Sequence, residues 1–344
     1  MDAIKLALWV FPPYLQDAIL MDPNPADPDG RLAPIRALAA RVRELGGECH
    51  TQDIFLRAGQ VPDIVLFLDI PPTPVDVLLS HWKGKVRRFV ILQEPEPIIP
   101  RNWDRSFHSQ FEKIFTWSDT LADGEKYVKF YNANVLPVSV PRHPTVGRKL
   151  CTLIARNYKS RHPLELYSKR IEGIRWFETN HPEEFDLYGK AWDEYIFQGP
   201  KLVRALNRLR PLKRLLSPKY PSYRGPIKKK LEVLSQYRFS ICYENNSGMP
   251  GYISEKIFDC FAAGCLPVYW GAPNIASHIP EECFLDKRNF PGYQELYERM
   301  RDMTDAEYFS RIRAIELFLL GSKGKLFSVD NYVETILSGM TPKT

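Results

Sequence analysis

The chain has 344 residues, 44% of them apolar and 26% charged, with a net charge of +6. These are the proportions of an ordinary folded chain with room for two domains, and they exclude a disordered chain, a collagen-like repeat and a coiled coil. No apolar run reaches the ~18 residues that a membrane-spanning helix needs.

Taken in order, the run Ile4 to Phe11 (IKLALWVF) is too short for a signal-peptide core and lacks its basic flank, so it reads as a first β-strand and the chain is expected to be cytoplasmic. Asp22 to Gly30 is a Pro/Asp-rich loop. It contains Asp27-Pro28-Asp29-Gly30, whose P-D-G reads as a turn with no metal role. Leu32 to Leu45 repeats apolar residues at helical spacing and stops at Gly46-Gly47. DIVLFLDI, RRFVILQ, KIFTW and NVLPVSV continue as strand-like runs. After a Pro- and basic-rich break near 137–150 the alternation restarts: CTLIA, a helix over Pro163 to Phe177, FDLYG, FSICYEN, a helix over Ile253 to Ala263, and LPVYWG. Tyr308 to Leu320 and Val329 to Leu337 read as closing helices. Repeated β-α-β alternation predicts α/β architecture with parallel sheets in two halves, and ligands beyond the carboxyl ends of the strands. The expected divisions are 1–145, 146–315 and a C-terminal helical segment 316–344.

Cys49, Cys151, Cys242, Cys260, Cys265 and Cys283 form no C-x-x-C pair and sit in apolar runs, as buried free thiols do. The seven histidines show no zinc-site spacing. Residues 195–231 contain no acidic residue, and eleven basic residues there, from Lys201 to Lys230, interleave with Leu202, Val203, Leu206, Leu209, Leu212, Leu215 and Leu216. This basic amphipathic insert is either a helix with a solvated face or a surface for anionic membrane, where each Lys or Arg contributes about 1 kcal/mol. Nucleic acid is not expected, because no aromatic interleaving or nucleic-acid motif accompanies the charge.

Phe239 to Pro273 carries most of the chemistry. A strand ends at Glu244-Asn245, a loop with Gly248, Pro250 and Gly251 follows, and a helix opens at Ser254-Glu255-Lys256. A lysine at the positive end of a helix costs about 0.3–1 kcal/mol. It is either an exposed surface lysine or part of an anion site shared with the free N–H groups. The run Tyr243-Glu244-Asn245, Tyr252-Ile253-Ser254-Glu255-Lys256, Ala263-Gly264-Cys265-Leu266-Pro267-Val268 and Gly271-Ala272-Pro273 resembles the donor motif of the α-1,3/α-1,4-fucosyltransferases, glycosyltransferase family 10. The loop between Glu244 and Tyr252 is one residue longer than in the common pattern.

The resemblance implies a GT-B fold, two facing Rossmann-like domains with an interdomain cleft, in which the C-terminal domain holds GDP-fucose and the N-terminal domain binds a glycan acceptor. It implies that Lys256 and Tyr252 contact the donor diphosphate and Glu255 the nucleotide, with Glu244, Asn245 and Ser254 in the same donor segment. A second cation is expected on the first helix of the donor domain, seven positions before a core aromatic; Arg170, which precedes Phe177 by seven, fits better than Arg156 or Arg161. The general base is expected after an N-terminal strand, at Glu94 of Glu94-Pro95-Glu96-Pro97, with Glu96 as the alternative and a water-exposed loop carboxylate as the plain one. Transfer would invert the anomeric centre, most simply in α-1,3 linkage to a GlcNAc-type sugar of a bacterial surface polysaccharide such as lipopolysaccharide. No cofactor or divalent metal is expected to be essential. Trp82, Trp103 and Trp117 are candidates to stack on acceptor sugars. Peripheral contact with the inner membrane face is a further expectation. The competing readings are another GDP-sugar on the same scaffold and a non-catalytic glycan-binding protein.

Overall fold

The computed structural model describes residues 4–21, 30–82, 86–197 and 199–341. The Asp27-Pro28-Asp29 triplet lies outside them. The chain divides into two compact units, one of Met1–Leu136, Met249–Ile253 and Ser322–Thr344, the other of Pro137–Gly248 and Ser254–Gly321.

The first unit is built on a six-stranded sheet: β1 (Lys5–Trp9), β2 (Glu48–Thr51), β3 (Ile64–Leu68), β4 (Arg87–Leu92), β5 (Lys113–Thr116) and β6 (Tyr127–Lys129). Their order is β2-β1-β3-β4-β5-β6, and every pairing is parallel. The strands read as continuous apolar runs because both faces are covered. Leu6, Leu8, Leu66, Ile91 and Phe115 point one way, onto Ile35, Leu38 and Val42 of the helix Ala33–Glu44 and onto Val333 and Ile336 of the helix Val329–Met340. Ala7, Trp9, Phe67, Val90 and Ile114 point the other way, onto Phe55, Val75, Leu79 and Phe111. This is the two-residue period of a strand applied to a double-sided core.

The second unit carries β7 (Lys149–Ile154), β8 (Phe185–Tyr188), β9 (Tyr223–Gly225), β10 (Tyr237–Tyr243), β11 (Leu266–Trp270) and β12 (Leu285–Asp286). Their order is β12-β11-β10-β7-β8-β9, again all parallel. The chain builds outward from β7 through β8 and β9, then returns to lay β10 on the opposite side of β7. That reversal opens a crevice at the carboxyl ends of β7 and β10.

Several expectations are corrected. NVLPVSV is not a strand: Asn134 makes one isolated bridge to Ser328, Val135 and Val138 are exposed, and Pro137 lacks the N–H a ladder needs. The sheet is closed instead by β6, three residues too short to show a period. The first unit ends at Leu136, because the linker beyond it belongs to the second unit, where the Val140 N–H and the Arg142 guanidinium both donate to Glu316. The expected 316–344 segment is divided: its first residues finish the helix Asp305–Leu320, and the rest returns to the first unit. Trp82 and Trp117 are core residues, 7% and 0% exposed, and offer no open face for a sugar, while Trp103 is half-buried with its ring 4.8 Å from that of Trp117. All six cysteines are buried and free.

The basic insert is broken into two short helices, Lys201–Ala205 and Arg210–Leu215, separated by a single turn of tighter helix; Pro211 stands in the first turn of the second, where its missing N–H does no harm. Leu202 and Leu215 are 86% and 81% exposed, and Leu209 and Leu216 are exposed as well. Lys213 and Lys230 leave the basic face, bonded to Glu194 and Asp259.

Candidate active site

The candidate donor side lies at the carboxyl end of β10. Glu244 follows the strand directly, and its side chain is fully enclosed. One carboxylate oxygen accepts the Ser254 N–H at 2.7 Å; the other accepts the Ser254 hydroxyl at 2.7 Å and the Lys256 ammonium at 3.0 Å. Lys256 also donates to Ser254 Oγ at 2.8 Å. Ser254 is thereby the N-cap of the helix Glu255–Ala262, held in extended backbone ahead of it. Glu244 ties the end of a strand to the start of a helix, and Lys256 is its counter-charge. Gly271 completes the bracket: a Cβ there would stand 2.5 Å from Glu244 Cγ, so the G-A-P turn passes only as glycine.

Lys256 keeps a 25% exposed side chain. Burial works against its charge, but Glu244 and Glu255 outweigh it and hold the ammonium above the ordinary lysine range, with Arg170 pulling the other way. The lysine is therefore protonated throughout the physiological range.

Arg170 sits on the helix Tyr167–Asn180 and is 5% exposed. Its Nη2 donates to the carbonyls of Tyr243 and Glu244 and to Asn245 Oδ1, at 2.7, 2.9 and 3.0 Å, while the guanidinium lies 4.9 Å from the Tyr167 ring centroid. Arg156 and Arg161, the alternatives, are exposed. Arg170 and Lys256 line one small cavity, together with Lys230 and Asp259. Lys230 was invisible as a site neighbour in the sequence, where it closes the run Lys228-Lys229-Lys230. Its partner Asp259 is one helical turn from Glu255, and burial raises that carboxyl to about 6 against the pull of Lys230.

Tyr252 stands apart from this group. It belongs to the first unit, 4% exposed, with its ring 4.7 Å from that of Trp117. Gly251 makes the excursion possible, at φ +83° with the Trp117 carbonyl where a Cβ would point. Asn132 Nδ2 fixes the next carbonyl, that of Ile253, at 2.8 Å.

The expected base, Glu94, follows β4 in the first unit, partly exposed, with Pro95 buried behind it; Glu96 is exposed. Its peptide is tightly held. The Glu94 N–H donates to Asp69 Oδ1 at 3.1 Å, and its carbonyl accepts from Asn102 Nδ2 and Trp103 Nε1 at 3.1 and 3.2 Å. Asp69 was not singled out from sequence, although LDIPP after β3 repeats the strand, acid, proline order of LQEPEP after β4.

Residues 214–311 match the family described as "Glycosyltransferase family 10 (fucosyltransferase) C-term". The chain is 36% identical over 75 residues to alpha-(1,3)-fucosyltransferase FucT of Helicobacter pylori, covering 22% of this chain and 16% of that protein. It is 30% identical over 102 residues to an alpha-(1,4)-fucosyltransferase of Arabidopsis thaliana, covering 28% and 24%. It thus spans less than a quarter of the length of either relative. A solved alpha1,3-fucosyltransferase with GDP-fucose superposes with a TM-score of 0.57 at 15% identity, covering 99% of this chain and 91% of that one. An alpha-glucosyltransferase with UDP-glucose and DNA superposes with a TM-score of 0.55 at 12% identity, covering 98% and 100%. Two parallel-sheet α/β units in one chain are the fold of these GT-B glycosyltransferases.

Proposed function

We propose that this chain, whose residues 214–311 match the C-terminal model of glycosyltransferase family 10, is an inverting fucosyltransferase that moves L-fucose from GDP-fucose to a glycan hydroxyl. The observation that carries the reading is the cationic edge of β10, where Arg170 and Lys256 line one cavity beside the N-terminus of the helix Glu255–Ala262. A nucleoside diphosphate gains negative charge as it leaves, and two fixed cations beside the positive end of a helix supply what that charge needs. In this reading they take the part that a divalent ion plays in other transferases. Glu255, partly exposed in the first turn of the same helix, is assigned to the nucleotide, and Asn245 to the wall of the donor segment. Glu244 and Ser254 act from within, by fixing Lys256. Glu94 takes the proton from the attacking hydroxyl.

The test is release of GDP from GDP-fucose in the presence of β-galactosyl and N-acetylglucosaminyl glycosides, repeated in EDTA. Turnover that needs an acceptor and survives chelation supports the reading; none with any acceptor favours a glycan-binding role. GDP-mannose is the control donor, since cations at a diphosphate do not read the hexose. The relatives' names include α-1,3 and α-1,4 activities, and α-1,3 transfer to a GlcNAc-type sugar of a bacterial surface polysaccharide is the acceptor reading that the panel of glycosides tests.

The insert 195–231 is assigned to an anionic membrane face. Lys201, Arg204, Arg208, Arg210 and Arg214 are exposed beside Leu202, Leu209 and Leu215, the pairing of charge and apolar surface that such an interface binds. No helix among the described residues is long and apolar enough to cross a membrane. With vesicles containing phosphatidylserine, the wild-type chain is expected to float with lipid, and a variant with Arg204, Arg208 and Arg210 changed to Gln to lose about 10²-fold in partitioning, as about 1 kcal/mol per charge implies. Equal flotation of the two chains removes the assignment.

A further inference from the structure

Backbone groups in an exposed loop ordinarily bond to water, and a loop that carries a reacting side chain is then free to shift. The Gln93-Glu94 segment departs from this. Each of its four backbone polar atoms is bonded to a side chain. The Gln93 and Glu94 N–H groups both donate to Asp69 Oδ1, at 2.6 and 3.1 Å. The Gln93 carbonyl accepts Trp117 Nε1 at 3.0 Å, and the Glu94 carbonyl accepts Asn102 Nδ2 and Trp103 Nε1. Two of the clamping residues are linked to each other, since Asn102 Nδ2 also donates to Asp69 Oδ1 at 2.6 Å. Asn102 is fully buried, its Oδ1 accepting the Ile70 N–H at 2.9 Å and its carbonyl lying 3.0 Å from His108 Nε2.

The conformation of Asp69 shows that this arrangement has a cost. Its φ is +65°, a left-handed backbone that is uncommon outside glycine though Asp and Asn tolerate it better than most, and it turns the carboxylate toward the end of the adjacent strand. Burial also raises this carboxyl from its ordinary value, against the pull of the Gln93, Glu94 and Asn102 donors. Strain and a desolvated carboxylate at one position, both spent on holding two neighbouring peptides, are more than a surface loop requires.

We infer that Asp69, Asn102 and Trp103 are positioning residues for Glu94, a side-chain clamp that fixes the base-bearing peptide. The inference rests on the reading of Glu94 as general base. The clamp holds the carboxylate in one place without touching the substrate, so it acts on the chemical step and leaves donor binding alone. Misplacing a catalytic group by about 1 Å can cost about 10²-fold in rate.

The test uses the full chain with whichever β-galactosyl or N-acetylglucosaminyl glycoside the wild type fucosylates. Asp69→Gly deletes the carboxylate and suits the +65° backbone, so it is expected to fold. Its kcat is expected to fall about 10²-fold with the KM for GDP-fucose within about threefold of wild type. Asp69→Asn keeps an acceptor oxygen in the same place and is expected to recover most of the loss. Trp103→Phe removes a single bond to the Glu94 carbonyl and provides an independent arm, with a kcat about five- to tenfold down at unchanged KM. Asp69→Gly combined with Glu94→Gln is expected to be no slower than Glu94→Gln alone, because the clamp acts only through the base. Folded Asp69→Gly with near wild-type kcat, beside an inactive Glu94→Gln, overturns the clamp and leaves the base in place. Full turnover by Glu94→Gln overturns the base and the clamp together.

Discussion

Glu94→Gln is expected to lower the rate of fucosyl transfer by about 10²–10⁴-fold, the usual worth of a general base, while GDP-fucose binds within about twofold of wild type. The substitution changes one oxygen for a nitrogen and leaves the Glu94 peptide, with its bonds to Asp69, Asn102 and Trp103, untouched. The loss therefore reads as chemistry and not as rearrangement. Glu96 supplies the control. It is exposed, two residues on, beyond the buried Pro95, and Glu96→Gln is expected to keep kcat within about threefold. Transfer rates and calorimetric binding of GDP-fucose, measured on both variants, check the pair. If Glu96→Gln is the inactive one, the base has been assigned to the wrong carboxylate; if neither is, no carboxylate of this loop is the base.

How much of this could be read from residues depended on whether a feature has a local signature. Strands buried on both faces announce themselves: RRFVILQ became β4 almost to the residue, and FSICYEN falls in β10, which starts and ends two residues earlier. The helix Glu255–Ala262 was legible from its cap and apolar face. β2, β6 and β9 have three or four residues each, too few for a period, and they exist because a neighbouring strand offers a free edge. The donor motif was legible as an ordered string, but the string does not tell where its parts go. Glu244, Ser254 and Lys256 form one hydrogen-bonded unit, whereas Tyr252, four residues before Lys256, is drawn into the other unit's core against Trp117. Hydrophobic burial of a tyrosine ring at 4% exposure outweighed sequence proximity there. Trp82 and Trp117 failed as sugar platforms for the same reason: a large ring near a strand end is worth most when buried. The Asp69 clamp depends on a contact between the ends of two strands separated by twenty-odd residues, and spacing along one chain does not reveal that.

Lys256 is the residue on which structure and donor chemistry make competing demands. As it stands, its ammonium neutralises a carboxylate with no exposed surface, at 3.0 Å. Lys256→Ala leaves that carboxylate buried with only Ser254 for a partner, and is expected to destabilise the chain by about 2–4 kcal/mol, since removing one member of a buried pair strands the other. It should also lower the rate of transfer by about 10²–10³-fold, as deleting one preorganised charge stabiliser does. The first effect could imitate the second, so a second variant separates them. Glu244→Gln with Lys256→Met removes both charges at similar volume and keeps an acceptor for Ser254, and is expected to regain most of the lost thermal stability while staying inactive and binding GDP at least about tenfold more weakly. Thermal unfolding and GDP titration of the two variants decide it. Recovery of GDP affinity along with stability would make Lys256 an internal counter-ion and nothing more. Continued loss of affinity in a stable protein would mean that a diphosphate draws on the same ammonium that Glu244 holds ready, which accounts for a lysine at the one end of a helix where its charge is otherwise unwelcome.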